Sequence, residues 1–409
     1  MQAILTGLRI VEGSAFIAAP MCGMTLAQLG ADVIRFDQIG GGIDYRRWPV
    51  TADNTSIYWA EMNKGKRSIA VDLKCEAGRE IITELICADG EEGGIFSTNL
   101  PARGWLAYER LSARRADLIQ HEIIGDRRGG SALDYTVNAK VGFPYITGPA
   151  DDDRPVNHVL PAWDIATAYL AAIDLLAAER HRRLTGVGQQ IKLALADVAL
   201  AAIGHLGYIG EVLINGEERA RHGNYLYGAL GRDFVTADEQ RIMLIAVTAK
   251  QWRGLLEATG LSSAMDALAA RLGLDFGGEG DRFQARAEIC ALLESWIRQH
   301  PFERVAQAFD ECGICWDKYQ TVGELVTSDP DCSEDNPIFS RIEQPGIGTY
   351  PVPGHAMHFS RVERSTPRPA PRIGQHTDEI LAEILGLDSG AIGRLHDDAV
   401  VAQGEREMG

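Results

Sequence analysis

The sequence has no run of about 18 apolar residues, the length a helix needs to cross a bilayer. Its opening stretch, Met1 to Leu8, lacks the charged-then-apolar pattern of an export signal. Neither a membrane span nor export is indicated, and the chain is expected in the cytoplasm. Positive charge is also scarce: 40 lysines and arginines stand against 57 aspartates and glutamates, a net charge of −17. That balance argues against general binding of nucleic acid or anionic membrane, although basic residues that converge locally can still hold an anion. A small partner is expected. The seven cysteines are scattered and odd in number, which suits a reduced compartment better than a disulfide framework. Only Cys312-Gly313-Ile314-Cys315 has motif spacing; it has no second pair to complete a zinc site and follows a helical stretch, not a thioredoxin-like setting. No metal is expected, and no internal repeat is evident.

What is present suffices for more than one core: 409 residues, 45% hydrophobic and 24% charged, make two domains the default. The chain opens as an α/β unit, with a strand at Leu8–Val11, a helix at Pro20–Leu29 and a strand at Asp32–Asp37. This order is Rossmann-like. A dinucleotide site, however, needs glycines in the first strand-to-helix turn, and Glu12-Gly13-Ser14-Ala15-Phe16-Ile17-Ala18-Ala19 lacks the fingerprint. Further strands are read at Ile69–Leu73, Gly94–Thr98 and Leu118–Ile124. The loops between them offer candidate ligand groups: Asp37 with the basic turn Gly40 to Arg47, the cluster Asn63-Lys64-Gly65-Lys66-Arg67-Ser68, and Asn99 to Gly104. Three cations in four residues make either a solvated turn or a phosphate-binding cluster.

After these loops comes Val159-Leu160-Pro161-Ala162-Trp163-Asp164, followed by small and apolar residues at helical spacing as far as Arg182, Arg183 and Gly186. Asp164 therefore sits at a helix entrance. It reads either as an N-cap that accepts from first-turn amides, or as a nucleophile kept ionised by the positive end of the helix dipole. Amides near Gly13 to Ala18 would then be available to an oxyanion.

At this point the residues carry a family likeness. Leu5-Thr6-Gly7-Leu8-Arg9-Ile10-Val11 with Ala18-Ala19-Pro20, Leu29 to Arg35, Asn63 to Leu73, and Pro369 to Glu379 resemble, in collinear order, the signature blocks of class III CoA-transferases. The resemblance implies a Rossmann-like large domain plus a smaller α+β domain, and two chains interlocked as a homodimer. It implies that Asp164 attacks the acyl-CoA thioester, that CoA enters as part of the substrate, and that no cofactor is permanently bound. By the same likeness Arg35 and Asp37 would lie near the adenosine, Asn63, Lys64, Lys66 and Arg67 near its phosphates, and Asn99 and Arg103 along the pantetheine path. Ala15, Phe16 and Ile17 would line the acyl pocket; some intermolecular transferases carry glutamine where Ile17 stands. Longer blocks, Val11–Pro20, Phe36–Val50 and Asn157–Asp164, narrow the likeness to members that move CoA between the two carboxyls of one small diacid. There Tyr45, Arg46 or Arg47 would bind the distal carboxylate.

Racemases of 2-methylacyl-CoA share the fold but look for a histidine and a glutamate where Leu133 and Ala249 stand, and neither relays protons. His121 and His158 read as structural. A CoA-binding protein without turnover would keep the loops and use Asp164 only as a cap. After Gly186 the texture changes near Arg221-His222-Gly223-Asn224, so residues 222–330 read as the small α+β domain, and 1–221 with 331–409 as the large one.

Overall fold

The computed structural model describes residues 3–404, which fall into two compact units. The first contains the chain up to Val141, then Val159–Ile209 and all from Pro330 onward; the second contains Gly142–His158 and Gly210–Asp329.

In the first unit, strands and helices alternate: β1 (Arg9–Gly13), α1 (Ala18–Gln28), β2 (Asp32–Gln38), α2 (Ile57–Asn63), β3 (Arg67–Val71), α3 (Glu76–Cys87), β4 (Ile95–Thr98), α4 (Tyr108–Arg114), β5 (Ile119–Ile124) and α5 (Asp134–Lys140). A one-turn α6 (Phe143–Ile146) lies in the second unit, and α7 (Ala162–Thr185), β6 (Gln189–Ala194) and α8 (Leu195–His205) resume the first. The sheet order is β3-β2-β1-β4-β5-β6, all parallel, with Val401–Ala402 added antiparallel beside β3. The fold is thus α/β and doubly wound. Its order reverses between β1 and β4, and the crevice beyond the carboxyl ends of those strands is where such sheets take ligands.

Strands covered on both faces read as near-continuous apolar runs, as Ile10-Val11, Val33-Ile34 and Ile69-Ala70-Val71 do. One row departs from this. Ser68, Arg35, Glu12, Ser97 and His121 stand side by side across the sheet in register, and all five are buried. Helix α1 covers that row with small residues, and Gly23 is required there because a Cβ would fall 1.7 Å from Glu12 Oε2. Helix α7 packs on α1 through Ala168, Ala171, Ala172 and Leu175. On the other face, Ile81, Ile82, Leu85 and Ile86 of α3 share a core with Ile380, Leu381 and Ile392 near the C-terminus.

The second unit has an antiparallel sheet, β7 (Leu230–Val235), β8 (Arg241–Ala246) and β9 (Cys315–Lys318), with helices packed on Phe234, Ile242, Leu244, Trp252, Leu255, Leu293 and Phe309. The boundary read from the sequence at 222 is displaced: residues 142–158 and 210–221 join this unit. Arg221 is the reason, since its guanidinium donates to the backbone oxygens of Pro144, Tyr145 and Asp152 and stitches the earlier segment to it. Cys312 and Cys315 are free thiols.

Candidate active site

The loop that leaves β1 is gripped on two sides. Ala15 N donates to Asn99 Oδ1 at 2.9 Å, and Asn99 Nδ2 donates to Ala15 O at 2.7 Å, so the residue just beyond β4 ties the two lips of the crevice together. Phe16 adopts φ +68, a left-handed conformation rare for a bulky residue, and its N–H donates to Asp44 Oδ2 at 2.9 Å. Two amides expected to be open to an oxyanion are therefore already committed. Ile17, Ala18 and Ala19 begin α1, where first-turn amides have no intrahelical acceptor.

Beneath this loop lies a buried ionic network, satisfied among the described residues except at Glu12 Oε2, which has no hydrogen-bond partner. Arg35 donates to both oxygens of Asp37 at 2.9 and 3.0 Å, to Asp44 Oδ1 at 3.1 Å, to Asn63 Oδ1 at 3.1 Å and to Ser14 Oγ at 3.2 Å. Lys66 Nζ donates to Glu12 Oε1 at 2.7 Å, to Pro20 O at 2.8 Å and to Asn63 Oδ1 at 2.9 Å. Burial works against charge at two members: it lowers the Lys66 ammonium and raises the Asp37 carboxyl, with Glu12 and Arg35 respectively opposing it. Arg35, Asp37, Asn63 and Lys66, expected near adenosine and phosphates, are all buried with polar atoms bonded to one another. Lys64 is likewise buried against Glu61, and Arg67 is held by Asp32, Glu379 and Glu383. The cluster that looked like a phosphate site braces the loop and anchors the C-terminal helix Thr377–Glu383.

Asp164 is the third residue of α7, not its cap. Pro161 occupies the cap position and supplies no side-chain acceptor. The acceptor comes from Asp134, whose Oδ2 receives Trp163 N at 2.7 Å and Asp164 N at 3.0 Å. Burial, then the neighbouring Asp134 charge, push the Asp164 carboxyl up to about 6, while Arg47 pulls it down. A carboxylate that ionises near neutrality is a competent nucleophile.

Arg47 lies 5.3 Å over the Phe16 ring and 5.4 Å over the Tyr58 ring, and Ser56, the cap of α2, donates to its backbone oxygen. Among the described residues the buried Tyr58 hydroxyl makes no well-formed hydrogen bond, and burial pushes it up to about 12, with the adjacent Arg47 guanidinium lowering and Asp164 raising it. Tyr58 was missed in the sequence; its position two residues past a serine cap was the available signal. Asp164, Phe16, Arg47 and Tyr58 are thus brought together, with Ala15 buried and Ile17 half-buried beside them. Arg46 is separated from them: it lines a cavity of about 910 Å³ with Tyr45, Trp48, Trp59, Gln344 and Arg372. Arg103 is exposed beyond β4. His121 is buried in β5, 3.4 Å from Asp174.

The sequence model of CoA-transferase family III matches residues 5–377. The chain belongs to CoA-transferase family III. It is similar to the 2-methylfumaryl-CoA isomerase of Chloroflexus aurantiacus, 58% identical over 407 residues that cover 99% of this chain and 100% of that protein. It is similar also to the succinyl-CoA:mesaconate CoA-transferase of Haloarcula marismortui, 26% identical over 94% of this chain and 97% of that one. Among solved structures, a CAIB/BAIF family protein from Brucella suis superposes with a TM-score of 0.75 at 25% identity, covering 94% of this chain and all of the other. Membership of the family makes the protein an enzyme. Among the described residues, no single helix is long and apolar enough to cross a membrane.

Proposed function

We propose that this enzyme moves CoA between the two carboxyls of mesaconate, converting 2-methylfumaryl-CoA into 3-methylfumaryl-CoA. The observation that carries the reading is the 58% identity to a 2-methylfumaryl-CoA isomerase across 99% of the chain. The site supports the chemistry. The Asp164 carboxylate attacks the thioester carbonyl and CoA leaves as thiolate, giving a mixed anhydride. The thiolate then attacks the Asp164 carbonyl, and the diacid leaves as a free carboxylate, giving an aspartyl-CoA thioester. The other carboxylate of the diacid attacks that thioester, and the returning thiolate attacks the acyl carbonyl and restores Asp164. Each step exchanges one acyl bond for another, so none is steeply uphill.

In this scheme Arg47 pairs with the carboxylate of the diacid that is not reacting, a charge-assisted contact supported by its place over Phe16 and Tyr58. CoA is part of the substrate, and its phosphates meet groups other than the buried Lys66 network, Arg103 among those exposed. A pocket that retains the free diacid favours its recapture over exchange with solution. The enzyme acts in the cytoplasm as an interlocked homodimer; Tyr169, Leu170 and Ile173, exposed along α7, support a partner chain there.

Incubation with 2-methylfumaryl-CoA and labelled free mesaconate tests this. Conversion with the label left in the free acid is the expected result; label entering the thioester pool marks an intermolecular transferase instead.

A further inference from the structure

Helix α5 holds the segment that carries Asp164 at three points. Buried Asp134, the first residue of α5, accepts from Trp163 N and Asp164 N through Oδ2. Asn138, one turn further, accepts from the Trp163 indole at 3.2 Å, and the Tyr135 hydroxyl donates to Val159 O at 3.1 Å. A helix start ordinarily takes its acceptor from its own cap residue. Here the cap is Pro161, and an anion from another helix fills the amides at the second and third positions of α7. Two carboxylates therefore share one helix start, and only Asp134 is bonded to it. Among the described residues the Asp164 side chain makes no hydrogen bond, so the dipole that favours an anion at this place serves Asp134 first.

We propose that Asp134 is a positioning residue for the exchange: by filling the first-turn amides of α7 with its own carboxylate, it fixes the Asp164 backbone and leaves the Asp164 carboxylate unbonded beside a second negative charge. This inference rests on Asp164 being the nucleophile. A carboxylate capped by those amides would be a poorer attacking group, because the hydrogen bonds that stabilise the anion must be given up as it forms an anhydride. The charged or titratable groups around Asp164 are Asp134 on α5, Arg47 on the loop before α2 and Tyr58 on α2. The Asp134 charge opposes ionisation of Asp164, and the Arg47 charge favours it.

Single-turnover, acid-quenched trapping of the aspartyl adduct formed from 2-methylfumaryl-CoA, read at each pH by mass analysis of the Asp164 peptide, tests this. In the unaltered enzyme the trapping rate should reach half its plateau near pH 6, the value at which Asp164 ionises. Asp134→Asn keeps an oxygen acceptor and removes the charge; its half-point should move down by at least ~0.5 pH unit and its plateau rate should fall about fivefold. Asp134→Glu, with the charge retained, should keep the half-point of the unaltered enzyme. If Asp134→Asn does not fold by circular dichroism, Asp134→Gln supplies a second neutral variant that keeps an oxygen acceptor. A neutral variant whose half-point coincides with that of the unaltered enzyme overturns the inference and leaves Asp164 as nucleophile. Lack of any adduct at Asp164 in the unaltered enzyme overturns the nucleophile and the inference together.

Discussion

Two sets of charge lie close to the β1 loop, and they are built on opposite plans. Around Arg35 and Lys66 every charged group meets a partner of opposite charge within about 3 Å, with only Glu12 Oε2 left unbonded among the described residues, and Asp44 receives Arg35 on one oxygen and Phe16 N on the other. Around Asp164 the groups are left incomplete: Arg47 rests on two aromatic rings, the buried Tyr58 hydroxyl makes no well-formed hydrogen bond among the described residues, and burial pushes the Asp164 carboxyl up. A completed network holds backbone in place, whereas an incomplete one is finished by whatever enters. Density of charge along the chain does not distinguish the two, since Asn63 to Ser68 is the denser and is the structural one.

The sharpest test of that contrast is Asp164→Asn. Turnover should fall by at least about a thousandfold, because a carboxamide in place of the proposed nucleophile cannot carry the acyl group. Stability should move the other way. Asp164 is raised from the ordinary carboxylate value of 3.8 to about 6, so its charge costs stability at pH values above about 6 and costs nothing below about 4, where it is protonated both folded and unfolded. The asparagine variant should therefore be more stable by on the order of 1 kcal/mol at pH 8, with the gain fading toward pH 4. Urea unfolding at the two pH values measures it.

The buried network predicts the reverse pattern. Lys66→Met strands the buried Glu12 carboxylate and should cost about 3–5 kcal/mol in urea unfolding. Arg47→Ala, at an exposed position, should change stability by less than ~0.5 kcal/mol, yet lower kcat/KM about a hundredfold by removing the cation proposed to meet the diacid. If Lys66→Met unfolded like the unaltered enzyme while losing affinity for CoA, the distinction drawn here would fail and the cluster would again be a phosphate site.

Much of the first unit was legible in the chain. Ile10-Val11, Val33-Ile34 and Ile69-Ala70-Val71 are apolar runs bounded by turn residues, and the helix behind Asp164 shows its spacing and its Gly186 stop. Pairing over long separations was not legible. Lys66 meets Glu12, 54 residues earlier, and Arg67 meets Glu379, 312 residues later; no local pattern announces either contact. The cap of α7 escaped for the same reason, since Asp134 lies 30 residues before Asp164 and a proline stands where a capping residue is sought. Nor does any local pattern show Phe16 turning left-handed, because a distant Asp44 holds it there.

The smallest expected effect tests the incomplete set at its least obvious member. Tyr58→Phe removes a buried hydroxyl that makes no well-formed hydrogen bond among the described residues, so folding loses only its weak contact with Arg47 and the variant should be within a few tenths of a kcal/mol of the unaltered enzyme. If that hydroxyl waits for the diacid beside Arg47, kcat/KM should fall about tenfold, the loss of one hydrogen bond to a charged group. Binding of mesaconate by the free enzyme, measured calorimetrically, should weaken in step with kcat/KM. A variant equal to the unaltered enzyme in both measurements would make Tyr58 only the platform for Arg47, and the carboxylate would then rest on the guanidinium alone.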